Sequence, residues 1–378
     1  MTMTTPAVQR PIKLAYVGCG FVAQHIHLPH FSNLPQAELV ALAELRPKLG
    51  RAVADRYRVP RLVASHLDLS KDPDIEAVAV SADFVVQGNI AADLLRAGKH
   101  VFMEKPMAVS IRQAESILKA SAEGGGRLMV GYMKRYDPAN VLMRDTVRAW
   151  RQSGEKGRLL YLRAHGFCGN WTAGRDRTAI IATDEPMPGK PRDEFAPDWL
   201  PQDQIANYIG YLQQYTHNIN LARFVLDAPD TELSVTNADL DTDGMTGVVL
   251  LKLGGTRVAL ESAQTRFHGW EEHTQVYFEG GWVHARSPLL FANPGQPWIE
   301  IYEAGEPPTY RHPVPVPIAS WHFREEAIHF LECVRSGEPF RSPASDALAP
   351  SCPERELRRC RQLARLNHPA ALPLFLPS

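Results

Sequence analysis

The stretch Leu14-Ala15-Tyr16-Val17-Gly18-Cys19-Gly20-Phe21-Val22-Ala23 decides the fold. An apolar run from Ile12 to Val17 ends in Gly-x-Gly-x-x-Ala, and a helical stretch reaching about Asn33 follows. Gly18 permits a tight turn out of a buried strand. Gly20 has no side chain to hold a phosphate away from the backbone. Ala23 is small enough for the new helix to pack on the strand. The free amides and positive end of that helix then meet a dinucleotide pyrophosphate. Gly18, Gly20, Phe21 and Val22 are the candidate cofactor contacts.

Outward from this loop, strand and helix patterns alternate. Strands are expected at Glu38–Ala43, Ile75–Val80, His100–Met103 and Arg127–Val130. Helices are expected at Pro47–Tyr57, Val85–Ala97 and from Ser110, as cap, to Ala122. Apolar strands joined by helices imply a parallel sheet covered on both faces. The pattern changes after Tyr132. A helix over Pro138–Arg151, a strand over Leu159–His165 and a helix over Gln204–Leu226 lead to successive strands between Thr231 and His312. Two late helices, Trp321–Arg335 and Pro353–Leu366, complete the chain. The expected class is α/β: a Rossmann domain over 11–132, then an α+β domain over 133–378 with a largely antiparallel open sheet.

The 378 residues carry a net charge of −1, which gives no electrostatic footprint for nucleic acid or an acidic membrane. Five scattered cysteines form no C-x-x-C and read as reduced thiols. No apolar signal core or membrane-length run is present, so a cytoplasmic location is expected. No metal-ligand spacing is visible along the chain. Arginines on the last helix are interrupted by Glu354 and Glu356 and read as a solvated face.

Glu44 ends the second strand, where a carboxylate accepts from the adenosine ribose hydroxyls and repels a 2′-phosphate. This favours NAD. Arg46, two residues on, leaves NADP open, since it either stacks on adenine or accommodates the extra phosphate. Ser81 ends its own strand beside the cofactor. Glu104 and Lys105 follow the strand His100–Met103, at the carboxyl end of the sheet. There a lysine is either a surface ammonium or a proton carrier whose pKa is lowered by burial and a nearby cationic nicotinamide.

The glycine loop, the string Ala97-Gly98-Lys99-His100-Val101-Phe102-Met103-Glu104-Lys105-Pro106, Gly131 to Pro138, and Phe330 to Ala347 together resemble the Gfo/Idh/MocA family of dehydrogenases. The resemblance covers about residues 11 to 350. It implies a bound NAD(P), hydride transfer at a secondary carbinol and Lys105 as catalytic lysine, with its bond to Pro106 often cis. It also implies an open sheet that walls the substrate and joins subunits in a homodimer or homotetramer. Family members carry Asp-x-Gly-x-His-x-x-Asp on the second-domain helix. Here the string reads Gln213-Gln214-Tyr215-Thr216-His217-Asn218-Ile219-Asn220. His217 matches and is the second catalytic candidate. Gln213 can bind a hydroxyl but not act as a base, and the spacing puts Gln213, His217 and Asn220 on one helix face. Gln87 stands where the family has histidine and is counted with the cofactor contacts.

Arg135, Tyr136, His165 and Trp171 are the remaining substrate candidates. The last two lie at or in the weakly periodic segment 166–201, which is expected to set substrate identity. The expected reaction is hydride transfer between NAD(P) and a secondary hydroxyl of a sugar, sugar derivative, glycoside or cyclitol. Two rivals are a lyase that oxidises transiently with tightly held NAD and a non-catalytic sensor of NAD or sugar.

Overall fold

The computed structural model describes residues 10–170, 178–187, 196–197, 200–228, 233–241, 245–266, 270–288, 296–316 and 321–347. Six strands, β1 (Ile12–Val17), β2 (Ala37–Ala43), β3 (Arg61–Val63), β4 (Ala77–Val80), β5 (His100–Glu104) and β6 (Leu128–Gly131), form a sheet in the order β3-β2-β1-β4-β5-β6. All pairs are parallel. The strand order reverses between β1 and β4, which opens a crevice at their carboxyl ends. Every residue of β4, Ala-Val-Ala-Val, is buried, as a central strand covered on both faces requires.

The connecting helices are α1 (Leu28–Phe31), α2 (Pro47–Tyr57), α3 (His66–Ser70), α4 (Phe84–Arg96) and α5 (Ile111–Gly124). Ser110 caps α5 as expected, its hydroxyl accepting from the Gln113 amide at 3.1 Å. The regular helix expected after the glycine loop is instead a π turn over Ala23–His27 that runs into α1 and ends at Phe31. The three-residue β3 and the five-residue α3 were too short to leave a periodic signature.

Eight strands form the second sheet: β7 (Leu159–Cys168), β8 (Leu233–Leu240), β9 (Gly247–Leu253), β10 (Thr256–Gln264), β11 (Trp270–Phe278), β12 (Gly281–Arg286), β13 (Trp298–Glu303) and β14 (Thr309–Arg311). Their order is β14-β13-β12-β11-β7-β10-β9-β8, antiparallel except for β7 beside β10. One face packs on α6 (Pro138–Ser153) and α7 (Ile205–Leu226), with Leu162, Ala164, Val258, Leu260, Val276 and Val283 in that core. Alternation turns Arg163, His165 and Phe167 to the other face, on which none of the described helices packs. The expected helix at 353–366 lies outside the described residues.

After the second sheet the chain returns to the first. Helix α8 (His322–Ser336) packs Ala327, Phe330 and Leu331 in one cluster with Leu14, Tyr16 and Phe102. The Val130 amide then donates to the Ser342 carbonyl at 3.0 Å, ahead of the short α9 (Ala344–Ala347). None of the described helices is long and apolar enough to cross a membrane.

Candidate active site

Gly18 sits at the switch point with φ +96°, and a Cβ there would lie 2.7 Å from the Ser81 carbonyl oxygen. Only glycine meets both demands. A Cβ at Gly20 would meet nothing within 4 Å. The backbone there faces open space, as a pyrophosphate cradle at a helix start requires. Ser81 closes the other side of the crevice, its hydroxyl accepting from Tyr16 at 2.7 Å.

Glu44 is 6% exposed and anchors this loop. Its Oε2 accepts from the Cys19 amide at 2.8 Å, and Arg46 reaches its oxygens at 2.7 and 3.2 Å. A strap of residues 178–187 crosses nearby. The Gln24 amide both donates to the Ile181 carbonyl and accepts from its N–H, at 3.0 and 2.8 Å. Glu185 accepts from the Lys48 and Leu49 amides in the first turn of α2. This part of the long 166–201 segment therefore docks on the nucleotide side, rather than beside the catalytic candidates. Trp171 lies outside the described residues.

At the end of β5 the Lys105–Pro106 peptide is cis. Gln87, 1% exposed, clamps the backbone on both sides of it, its Nε2 donating to the carbonyls of Glu104 at 2.8 Å and Pro106 at 2.7 Å. That amide nitrogen is spent on holding Lys105 in place. Glu104 is fixed as well, accepting from the Lys105 amide at 3.1 Å and facing His27 Nε2 at 2.8 Å.

Three contacts seat α7 on the carboxyl end of the first sheet. Lys105 Nζ donates to the Gln213 carbonyl at 2.9 Å, Tyr208 donates to the Val109 carbonyl at 2.9 Å, and the Tyr132 and Thr216 hydroxyls meet at 3.1 Å. His217 lies one turn beyond Gln213, 5% exposed, and its Nδ1 is buried with no hydrogen-bond partner among the described residues. Burial, then the charges of Lys105, Lys134 and His322, hold the His217 pKa well below the ordinary histidine value. Burial also lowers Lys105, with Lys134 adding to the effect and Glu104 opposing it. The site thus pairs a neutral imidazole with a lysine made easier to deprotonate.

Four expectations change. Asn220 does not share the His217 site, because its Oδ1 accepts from Arg135 Nε at 2.6 Å. Arg135, 4% exposed, is locked by Asn220, by the Arg341 carbonyl and by Asp346, which leaves no guanidinium edge for substrate. Tyr136 is buried with its hydroxyl between Ser342 and the Met129 sulfur. His165 stands on the face of the second sheet opposite α6 and α7, paired with Glu261 at 2.7 Å and stacked on His273. The residues facing α7 are its neighbours. A Cβ at Gly166 would lie 2.7 Å from Asn218 Nδ2. Lys134, 6% exposed, contacts both Asn218 and Glu272. Lys134 lies inside the Gly131–Pro138 string, so the signal was present. Asn218 and Glu272 carried none.

The fold also gathers ligand-capable groups invisible in linear spacing. His165, Glu271 and His273 form one group, and His27, Glu104 and Glu326 another, with ligand atoms within 4.8 Å of one another. Glu326 is 0% exposed, and neither of its oxygens has a partner among the described residues. Burial, reinforced by Glu104, raises its pKa well above the usual carboxylate range.

Residues 12–132 match the model of an oxidoreductase family described as Gfo/Idh/MocA with an NAD-binding Rossmann fold. The chain is 23% identical over 352 residues to the scyllo-inositol 2-dehydrogenase (NAD(+)) of Bacillus subtilis, covering 88% of each. It is 30% identical over 158 residues to the inositol 2-dehydrogenase of Salmonella typhimurium, covering 41% of this chain and 45% of that enzyme. The aldose-aldose oxidoreductase of Caulobacter crescentus shares the fold with a TM-score of 0.70 at 18% identity, over 94% of this chain and 99% of that one.

Proposed function

We propose that the chain is an NAD(P)-dependent oxidoreductase of the Gfo/Idh/MocA family, whose Rossmann-fold model matches residues 12–132, and that it oxidises a secondary hydroxyl of a sugar, sugar derivative or cyclitol, or reduces the corresponding ketone. The observation that carries this reading is the meeting of Lys105 and α7 beyond the carboxyl end of β5, on the crevice that Gly18 and Ser81 border. Gly20 and the following helix start fit the pyrophosphate, and the nicotinamide supplies the hydride acceptor or donor. In the oxidative direction Lys105 takes the hydroxyl proton as the carbon gives up hydride. In reduction it returns the proton. His217, held neutral, orients the hydroxyl through a hydrogen bond, and the exposed Gln213 side chain binds a neighbouring one. The face of the second sheet opposite α6 and α7 serves a homo-oligomer.

The test is a panel of polyols, sugars and sugar derivatives assayed in both directions with NAD and NADP. Turnover that depends on Lys105 supports the proposal. Cofactor that copurifies and is never consumed while a glycosidic or elimination product forms would favour transient oxidation. No turnover with any compound in either direction would reject the substrate class.

A further inference from the structure

We propose that a cleft between α6, the end of α7 and the segment before α9 binds a small dianion, either the phosphate group of a phosphorylated metabolite or a dicarboxylate, at a site separate from the Lys105 crevice. The cleft has a volume of about 400 Å³ and is lined by Arg135, Arg144, Arg223 and Arg341, with Asp227 and Asp346. Among the described residues the charges do not balance. Asp346 is shared between Arg135 and Arg223. Asp227 is drawn to Arg148, outside the lining. Arg144 has Asp145 at 2.7 Å. Arg341 has no carboxylate partner among the described residues. It donates to the Arg135 carbonyl at 3.0 Å, and its guanidinium lies 4.9 Å over the Tyr136 ring.

The cleft is shaped for planar cations. Arg135 and Arg144 both lie against the Phe224 ring, at 5.3 and 4.6 Å. Burial, together with a neighbouring guanidinium in each case, lowers the pKa of Arg223 and Arg341. A dianion would relieve that repulsion, and guanidinium forks match phosphate and carboxylate oxygens with paired hydrogen bonds. The site also bears on the rest of the molecule. Arg135 follows Lys134, and Arg223 lies on α7 beyond His217, so an anion here would fix the two elements that carry those side chains.

The test uses the full chain saturated with NADH, which keeps phosphate off the glycine loop. Inorganic phosphate, succinate and chloride are compared at equal ionic strength by calorimetry and thermal unfolding. One site per chain and a Tm rise of about 2–4 °C at saturation are expected with phosphate, succinate or both. A response to phosphate alone assigns a phosphorylated ligand, and one to succinate alone a dicarboxylate. Arg341→Gln should bind about tenfold more weakly, with Arg341→Lys between it and the wild type. Should Arg341→Gln fail to fold, Arg144→Gln must show the same loss. Equal Tm in all three salts overturns the proposal. So does wild-type affinity in either glutamine variant.

Discussion

Arg46 encloses the Glu44 carboxylate, with its Nε 2.7 Å from Oε1, its Nη2 3.2 Å from Oε2 and its own amide 3.1 Å from Oε1. The Cys19 amide adds a fourth donor, about as many as a carboxylate can accept. A ribose hydroxyl that bonds Glu44 must therefore displace an Arg46 contact, whereas a 2′-phosphate would meet Arg46 directly. Arg46→Ala should raise the ratio of kcat/KM for NAD over NADP by about tenfold. Glu44→Gln should lower it. Steady-state kinetics with both cofactors decide, and an unchanged ratio in both variants removes the pair from cofactor selection.

Lys105 carries the proton in the proposed reaction, so Lys105→Met should lower kcat by about 10²–10⁴ while NADH still binds. Fluorescence titration of NADH checks the second part. Glu104 opposes the lowering of the Lys105 pKa. Removing its charge with Glu104→Gln should lower that pKa further. Oxidation needs the free amine, so its rate rises with pH through the Lys105 pKa, and this rise should move to lower pH in Glu104→Gln. A rise that stays in place would separate Glu104 from the proton transfer.

Apart from the short edge strand β3, the first sheet was legible because its central strands are largely buried on both faces and its turns carry a glycine, proline or cap. Lys105 was legible because it ends such a strand. The second domain was harder to read. Which strand residues face α7 and which the opposite side depends on register, and a one-residue step moves His165 to the side opposite Gly166. Likewise the spacing of Gln213, His217 and Asn220 gives a common helix face but not what that face meets. Gln213 meets Lys105 through its carbonyl, and Asn220 meets Arg135. The Gln24–Ile181 pairing and the burial of Glu326 against Glu104 join segments far apart in the chain, and no local pattern encodes them.

Arg135 is a buried brace, and its loss should read as instability rather than as weak substrate binding. Arg135→Met leaves Asn220 without its guanidinium partner and Asp346 with Arg223 alone, and should lower unfolding free energy by about 2–4 kcal/mol. KM for a working substrate should stay within about twofold at a temperature where the variant is folded. Denaturant unfolding gives the first quantity and steady-state kinetics the second. A large KM change without loss of stability would return Arg135 to the substrate site.

Buried histidines and Glu326 tilt stability with pH in opposite senses. Burial lowers His322 to about 3 and His217 well below its ordinary value. Below about pH 6.5 the unfolded chain therefore binds protons that the folded chain refuses, and stability falls as pH falls. Glu326 is raised, so the folded chain keeps a proton that the unfolded chain loses above about pH 4.3. Its contribution is fully present below that pH and is lost as pH rises towards its folded pKa. Glu326→Gln keeps the shape without that loss. It should become more stable than the wild type by about 1 kcal/mol per pH unit above pH 4.3, until the folded group ionises. His322→Gln should flatten the acid side by a similar slope between about pH 6.5 and its folded pKa of about 3. Urea unfolding of the three proteins from pH 5 to 8 measures both slopes. A Glu326→Gln advantage that does not grow with pH would mean that the buried carboxyl is already ionised in the folded protein.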